Sequence, residues 1–305
     1  MTSTTHTSQP AGASGTFLLG GDLPVARLGF GAMRLPFGTF TGPARDPRVG
    51  IAVLRRAVEL GVNHIDTASF YRRGGVIANE LIRQALTPYP GDLVIATKVG
   101  PMLGPDDVPT MQATPEQLRG LVEENLRELG VDRLDLVYLR VGAQHGPGGE
   151  SLGDRFAALA ALRDEGLIRH LGVSNVDAAQ LAEARAVAPV AAVQNTFHVH
   201  HRAGDAALLA HCTEAGIAFV PFFPLGGGND PIDPVRLEKV AGRHQATVPQ
   251  VALAWLLASS PSMLPIPGTG NLAHLEENVA AATLRLTAED LADLAGQPGV
   301  AGPLT

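Results

Sequence analysis

Cysteine is almost missing from this sequence: Cys212 is the only one in 305 residues. A lone thiol excludes an internal disulfide framework and a CxxC metal site, and it suits a reducing cytoplasm. Basic runs are missing too. With 23 Lys and Arg against 30 Asp and Glu, the formal net charge of -7 argues against nucleic acid or an anionic membrane as the main partner, but leaves room for a local anion pocket. No apolar stretch approaches the length of a bilayer span, and residues 1–15 (MTSTTHTSQPAGASG) have neither a basic start nor an apolar centre. They read as a disordered polar tail on a soluble, cytoplasmic protein, with residues 16–305 as a single domain.

What the chain does contain is 45% hydrophobic residues, 35 glycines and 23 prolines, enough for a packed core cut by many turns. Two apolar runs, TFLL and PVARL, flank Gly20-Gly21-Asp22 and read as a hairpin. After it, apolar runs and helical patterns alternate. GFGAMR (29–34) is a strand end poor in side chains. Asp46-Pro47 opens a helix with Ile51, Leu54 and Val58 on one face. Residues 76–86 read as helix, LVIAT as a strand reaching Lys98, and Thr114 to Gln117 as a capping box. Further strands end at Arg140, Ser174, Gln194 and Val220, and Met263 to Ile266 reads as the last. Helices lie between them, including VPQVALAWLLAS, where Trp255 is a packing residue, and LAHLEENVAA. About eight such units with short connections predict an α/β fold, a (β/α)8 TIM barrel whose N-terminal β-hairpin closes the barrel bottom. The rival is an open doubly wound sheet, but GFGAMR is not the GxGxxG fingerprint.

A barrel gathers the carboxyl ends of its strands on one face. GVNHIDTASFY (61–71) therefore places Asp66 at a strand end with Tyr71 in the next loop, and Lys98 ends the following strand. Singly, these residues read as a helix cap, a loop aromatic and a solvated strand end. Together they make a proton donor. A phenol titrates near ~10 in water and needs help to trade its proton at neutral pH. An ammonium beside it favours the phenolate, and a carboxylate keeps that ammonium charged and oriented. A carbonyl being reduced is the natural acceptor of the proton.

These motifs, with GVSN (172–175), VQN (193–195), PFFPLGGG (221–228) and IPGTGNLAHLEEN (266–278), resemble the aldo-keto reductase family over nearly the whole chain after the tail. The resemblance implies an NADP(H)-dependent oxidoreductase that reduces an aldehyde or ketone by hydride transfer. Asp66, Tyr71 and Lys98 would be three of its four catalytic residues, with Tyr71 as acid. Ser174, Asn175 and Gln194 would hold the nicotinamide carboxamide, and Phe222 would stack on its ring. Gly31, Ala32, Met33, Phe223, Pro224, Leu225 and Gly226 would line the cofactor's path. Ile266, Gly268, Thr269, Gly270, Asn271, His274, Glu277 and Asn278 would take its adenosine phosphate end. Many members carry a Lys or Arg there, where this chain has Gly268 and His274, so NAD(H) stays an alternative.

The fourth catalytic position departs from the pattern. LDLVYLR (134–140) puts Arg140 where the family usually has His. An arginine stays charged and donates several hydrogen bonds, so it would steady a carbonyl oxygen or hold a substrate anion. This variant resembles a bacterial subgroup related to pyridoxal reductases, and the readily ionised 3-hydroxyl of pyridoxal is a group Arg140 would face. Met33, Phe70 and Phe197 are the expected substrate walls. HVHHR (198–202) has two histidines at i, i+2, but no Cys or acidic residue lies near to complete a metal set, so no metal is expected. The rivals to a carbonyl reductase are a non-catalytic NADP(H)-binding sensor or accessory subunit and a metal-assisted hydrolase.

Overall fold

The structure, a computed structural model, describes residues 9–38, 42–104, 107–142, 149–200, 205–227 and 234–295. It opens with the expected hairpin, β1 (Thr16–Leu19) and β2 (Leu23–Ala26), paired antiparallel from Thr16↔Ala26 to Leu19↔Leu23. Then come β3 (Phe30–Gly31), α1 (Pro47–Glu59), β4 (His64–Asp66), a small hairpin of β5 (Arg72–Arg73) and β6 (Val76–Ile77), α2 (Ala78–Leu86) and β7 (Val94–Val99). A second small hairpin, β8 (Pro101–Leu103) and β9 (Pro109–Gln112), precedes α3 (Leu118–Leu129), β10 (Leu134–Arg140), α4 (Gly153–Asp164), β11 (Ile168–Ser174), α5 (Ala178–Val187), β12 (Ala192–Gln194), α6 (Ala206–Glu214) and β13 (Ala218–Phe219). Among the described residues four α-helices follow: α7 (Pro234–His244), α8 (Val248–Ser259), α9 (Leu272–Ala280) and α10 (Ala288–Ala295).

Seven strands form one parallel sheet in the order β13-β12-β11-β10-β7-β4-β3. The eighth stave is not a regular strand. Met263 makes only an isolated bridge to Phe219, yet residues 262–265 bond both sheet edges: Phe219 N donates to Ser262 O (2.8 Å), Leu264 N to Phe219 O (2.8 Å) and Gly29 N to Pro265 O (3.0 Å). The curled sheet thus closes into a (β/α)8 barrel. A full strand over Met263–Ile266 fails because Pro265, lacking an N–H, cannot continue a ladder.

Period-two alternation sends Val94, Ala96 and Lys98 of β7, and Leu136, Tyr138 and Arg140 of β10, to the inside. Leu19, Leu23 and Val25 of the hairpin join Val94, Ala96, Leu136 and Tyr138 in one buried cluster. The hairpin therefore plugs the amino-terminal end of the barrel, and the polar members of the alternation are left at the other end. The helices pack outside through apolar stripes. In α1 the Asp46 carboxylate accepts from Arg48 N (2.9 Å) as cap, with Pro47 in the first turn. Its buried face is Gly50, Val53, Leu54 and Ala57, with Ile51 and Val58 only half-buried.

The structure departs from the sequence reading at further places. Residues 10–15 do not belong to a disordered tail: Pro10–Ser14 folds into a 3-10 turn with Ala11 buried. Ala11 N donates to Leu60 O (3.0 Å), and the Ser14 hydroxyl donates to Ala11 O (2.7 Å) and accepts from Leu28 N (3.0 Å). Residues 1–8 of that tail lie outside the described residues. The helix expected from Val76 starts at Ala78, because Val76 and Ile77 pair back onto Arg73 and Arg72. Helix α7, not expected from the sequence, buries Leu237, Val240 and Ala241, its apolar spacing hidden in a charged stretch.

Candidate active site

Parallel register sets the height of each strand-end residue. Gly31 is paired with Asp66, Arg140 with Ser174, and Ser174 with Gln194, while Lys98 lies opposite Tyr138, two residues below Arg140. All six strand ends therefore open on one rim, and the turn after β4 brings Tyr71 to it.

At the centre Lys98 Nζ donates to Asp66 Oδ1 (2.5 Å) and to Thr67 O (3.0 Å). The second carboxylate oxygen, Oδ2, accepts from Gln194 Nε2 (2.7 Å). Asp66 and Lys98 are only 2% and 1% exposed, so each charge depends on its partner. Burial by itself works against the Lys98 ammonium, but Asp66 and then Tyr71 outweigh it and its pKa is raised. Its Nζ lies 4.8 Å from the centroid of the Tyr71 ring, and Phe70 braces that ring edge-on at 5.2 Å. The arrangement can hold a proton on the phenol and stabilise the phenolate left when it departs.

Arg140 reaches over this group from β10. Its Nη1 donates to Ser174 Oγ (3.4 Å) and its Cζ lies 5.3 Å above the Phe222 ring. Burial lowers its pKa, while the nearby Tyr71 and Asp66 act the other way. A guanidinium remains charged through such shifts, so Arg140 adds a second cation to the group around Asp66 and Tyr71.

Asp66 and Tyr71 form the floor of a cavity of about 240 Å³, walled by Gly31, Met33, Phe222, Phe223, Pro224, Leu225, Ile266 and Gly268. Those expected residues are brought together. Ala32 is buried one residue beyond the wall, and Gly226 turns the loop beneath it at φ 75°. Asn175, itself left-handed at φ 64°, donates through Nδ2 to Val141 O (2.8 Å). Asn271 caps α9 by accepting from His274 N (3.1 Å), and its own N donates to Thr269 Oγ1 (3.1 Å). Asn278 is buried, whereas Glu277 accepts a hydrogen bond from Thr247 Oγ1. Phe197 is not a pocket wall. It is 2% exposed, stacked on Trp255 at 6.0 Å and edge-on to Phe219 at 5.5 Å, because β12 turns it outward to the helix layer. Among the described residues no group of three or more His, Cys, Asp or Glu could hold a metal ion.

Some members were not singled out as individual residues in the sequence. Arg34, Pro267 and Gly227 also line the cavity. Behind Lys98, the Thr67 hydroxyl donates to Asn79 Oδ1 (2.8 Å), and Asn79 Nδ2 donates to Asn125 Oδ1 (3.0 Å) and Glu128 Oε2 (2.8 Å). Arg72 Nη2 then donates to Glu128 Oε1 (2.8 Å). This buried chain ties the lysine's carbonyl partner to the residue next to Tyr71, and α2 and α3 had shown only apolar spacing.

Residues 27–229 and 234–296 match the model of the Aldo/keto reductase family. The chain belongs to the aldo/keto reductase family. This aldo/keto reductase is 49% identical over 288 residues to pyridoxine 4-dehydrogenase of Escherichia coli, covering 93% of this chain and 98% of that one. It is 41% identical over 275 residues to an uncharacterized oxidoreductase of Schizosaccharomyces pombe, with 90% and 87% covered. Among solved structures it is similar to an aldo-keto reductase from Klebsiella pneumoniae in complex with NADPH, at 27% identity and TM-score 0.75, with 92% and 93% of the two chains covered. Glycerol dehydrogenase from Gluconobacter oxydans shares the fold at TM-score 0.80, with 24% identity and 92% and 94% coverage. An aldo/keto reductase is an oxidoreductase of carbonyl and alcohol groups, and the enzyme reading stands over the sensor.

The residues present fit a nicotinamide cofactor. Gln194 Oε1 is buried with no partner, an acceptor free for an amide N–H. A Cβ on Gly31 would lie 2.7 Å from Ile266 O, and one on Gly268 would overlap Gly31 O, so glycine at both positions lets β3 and the last stave meet backbone to backbone in the cavity wall.

Proposed function

We propose that this protein is an NADP(H)-dependent carbonyl reductase of the cytoplasm that interconverts pyridoxal and pyridoxine. The observation that carries the reading is the buried Asp66 and Lys98 pair with Tyr71 beside it on the floor of the cavity. NADPH, when bound, supplies the hydride that reduces the carbonyl carbon. Tyr71 gives its proton to the carbonyl oxygen, and in the oxidation direction it takes a proton back. Lys98 lowers the cost of the phenolate so formed, and Asp66 holds Lys98 charged and in place. Gln194, with Ser174 and Asn175, orients the carboxamide, Phe222 faces the ring, and residues 266–278 hold the adenosine end.

Arg140 selects the substrate. The Arg140 guanidinium, which also donates to Ser174 Oγ, meets an oxygen anion on the substrate, such as the ionised 3-hydroxyl of pyridoxal. The E. coli relative, a pyridoxine 4-dehydrogenase, supports that substrate class. Met33 is an apolar wall of the cavity, and Phe70 backs the Tyr71 ring.

The test is to mix the pure protein with NADPH and pyridoxal or simple benzaldehydes and follow cofactor absorbance near ~340 nm. Pyridoxal is expected to turn over in preference to a benzaldehyde lacking the hydroxyl. Tyr71→Phe is expected to bind NADPH normally and lose turnover about 10²-fold or more. Arg140→His is expected to lose the preference. An Arg140→His enzyme with unchanged relative rates removes the basis for the substrate, and a Tyr71→Phe enzyme at full rate removes the mechanism.

A further inference from the structure

We propose that Arg45, in the loop before α1, is the cation that recognises the 2′-phosphate of NADP(H). It does so in place of a basic residue on the loop after the last stave. The proposal rests on the reading that residues 266–278 hold the adenosine end. On that loop, position 268 is closed to a side chain, since a Cβ there would run into Gly31 O. Backbone pressed against backbone cannot yield as a flexible side chain can. A lysine at 268 would force β3 and the loop apart, and residues 266–278 carry no Lys or Arg, so a permanent cation for this site comes from another element.

The opposite face of the loop receives one. A Cβ on Gly270 would overlap Nε and Cζ of Arg45, so the guanidinium lies flat on the Gly270 backbone. Its Nη1 donates to Gly270 O (3.2 Å) and its Nη2 to Phe37 O (3.5 Å). Those bonds fix the fork, yet they spend it on neutral acceptors. Nε is buried and without a partner, and no carboxylate pairs with Arg45 among the described residues. The neighbouring Asp46 is turned away, bonded to the backbone and side chain of Arg48.

A second cation lies close by. Arg34 lines the cavity with Pro267 and Gly268, and after burial it is the charge of Arg45 that makes its protonated form less favourable. The Arg45 guanidinium, close to the start of α9, places a positive charge there in a protein of net charge -7. A 2′-phosphate, an anion with two charges, is suited to pair with it. The adenosine of NAD(H) offers only a hydroxyl. Discrimination between the two cofactors therefore follows from the placement of Arg45.

Isothermal titration calorimetry of the whole protein tests this without turnover, using NADPH, NADH, 2′,5′-ADP and 5′-AMP as ligands. In the unaltered protein, 2′,5′-ADP is expected to bind well ahead of 5′-AMP. Arg45→Gln is expected to weaken NADPH and 2′,5′-ADP roughly 10- to 100-fold, the loss of a charge-assisted hydrogen bond, with NADH within about two-fold of its starting value. Arg45→Lys is expected to recover part of the loss, since it keeps the charge without the fork. An unchanged NADPH to NADH ratio in Arg45→Gln overturns the proposal. Equal weakening of both cofactors overturns it too, leaving Arg45 as a brace for Gly270. If the unaltered protein binds 2′,5′-ADP no better than 5′-AMP, the assignment of the loop itself fails. Should Arg45→Gln not fold, Gly270→Ala displaces the guanidinium while keeping the charge, and the same lowering of the ratio is expected.

Discussion

Lys98→Met makes the sharpest test of how this site is held. The substitution removes the donor to Asp66 Oδ1 and leaves the carboxylate, 2% exposed, with Gln194 Nε2 as its remaining partner. Breaking a buried pair from one side costs roughly 3–5 kcal/mol. A loss of about 4 kcal/mol at neutral pH is therefore expected. Asp66→Asn with Lys98→Met removes both charges and is expected to regain all but about 1 kcal/mol. Urea unfolding followed by circular dichroism at pH 7 reads both quantities. A single variant within about 1 kcal/mol of the unaltered protein, or a double variant as unstable as the sum of its singles, would show that the pair is not a mutually dependent buried unit. Turnover is expected to be lost in both variants whatever their stability.

Two further outcomes follow from buried neighbours of the site. His64 lies fully buried below Asp66 with both ring nitrogens unpartnered, and burial lowers its pKa from 6.5 to about 4. The unfolded state therefore binds the extra proton between pH 6.5 and 4, and stability present above 6.5 is lost across that window, by roughly 3 kcal/mol in all. Melting temperature against pH should show this acid limb, and His64→Leu should flatten it; an unchanged limb would mean that another group titrates there. Gly31→Ala places a Cβ 2.7 Å from Ile266 O, forcing the last stave outward. A stability loss of about 1–3 kcal/mol and at least ~10-fold weaker NADPH binding by calorimetry are expected, and normal binding would contradict the close approach.

Much of the site was legible because barrels read chemistry out at strand ends. Asp66, Lys98, Arg140, Ser174 and Gln194 each follow an apolar run, and a parallel sheet has one carboxyl end. Tyr71 was legible by its short distance from Asp66. Phe197 was misplaced because an apolar residue just past a strand can face the pocket or the helices, and spacing does not say which. The support chain through Asn79, Asn125 and Glu128 was hidden for a related reason. Polar residues on helices α2 and α3 look solvated until the packing turns them inward.

The order of apolar and polar residues alone determined the alternation of strand and helix, the plugged hairpin end and the identity of the proton-handling residues. These follow from local periodicity and from the single direction of a parallel sheet. Contacts between distant segments decided the rest: the closure of the barrel by residues 262–265, the pairing of Gln194 with Asp66, and the guanidinium of Arg45 on Gly270. Each depends on side chains or backbone more than forty residues apart meeting within hydrogen-bond range, and no short-range pattern encodes where a curled sheet will bring them.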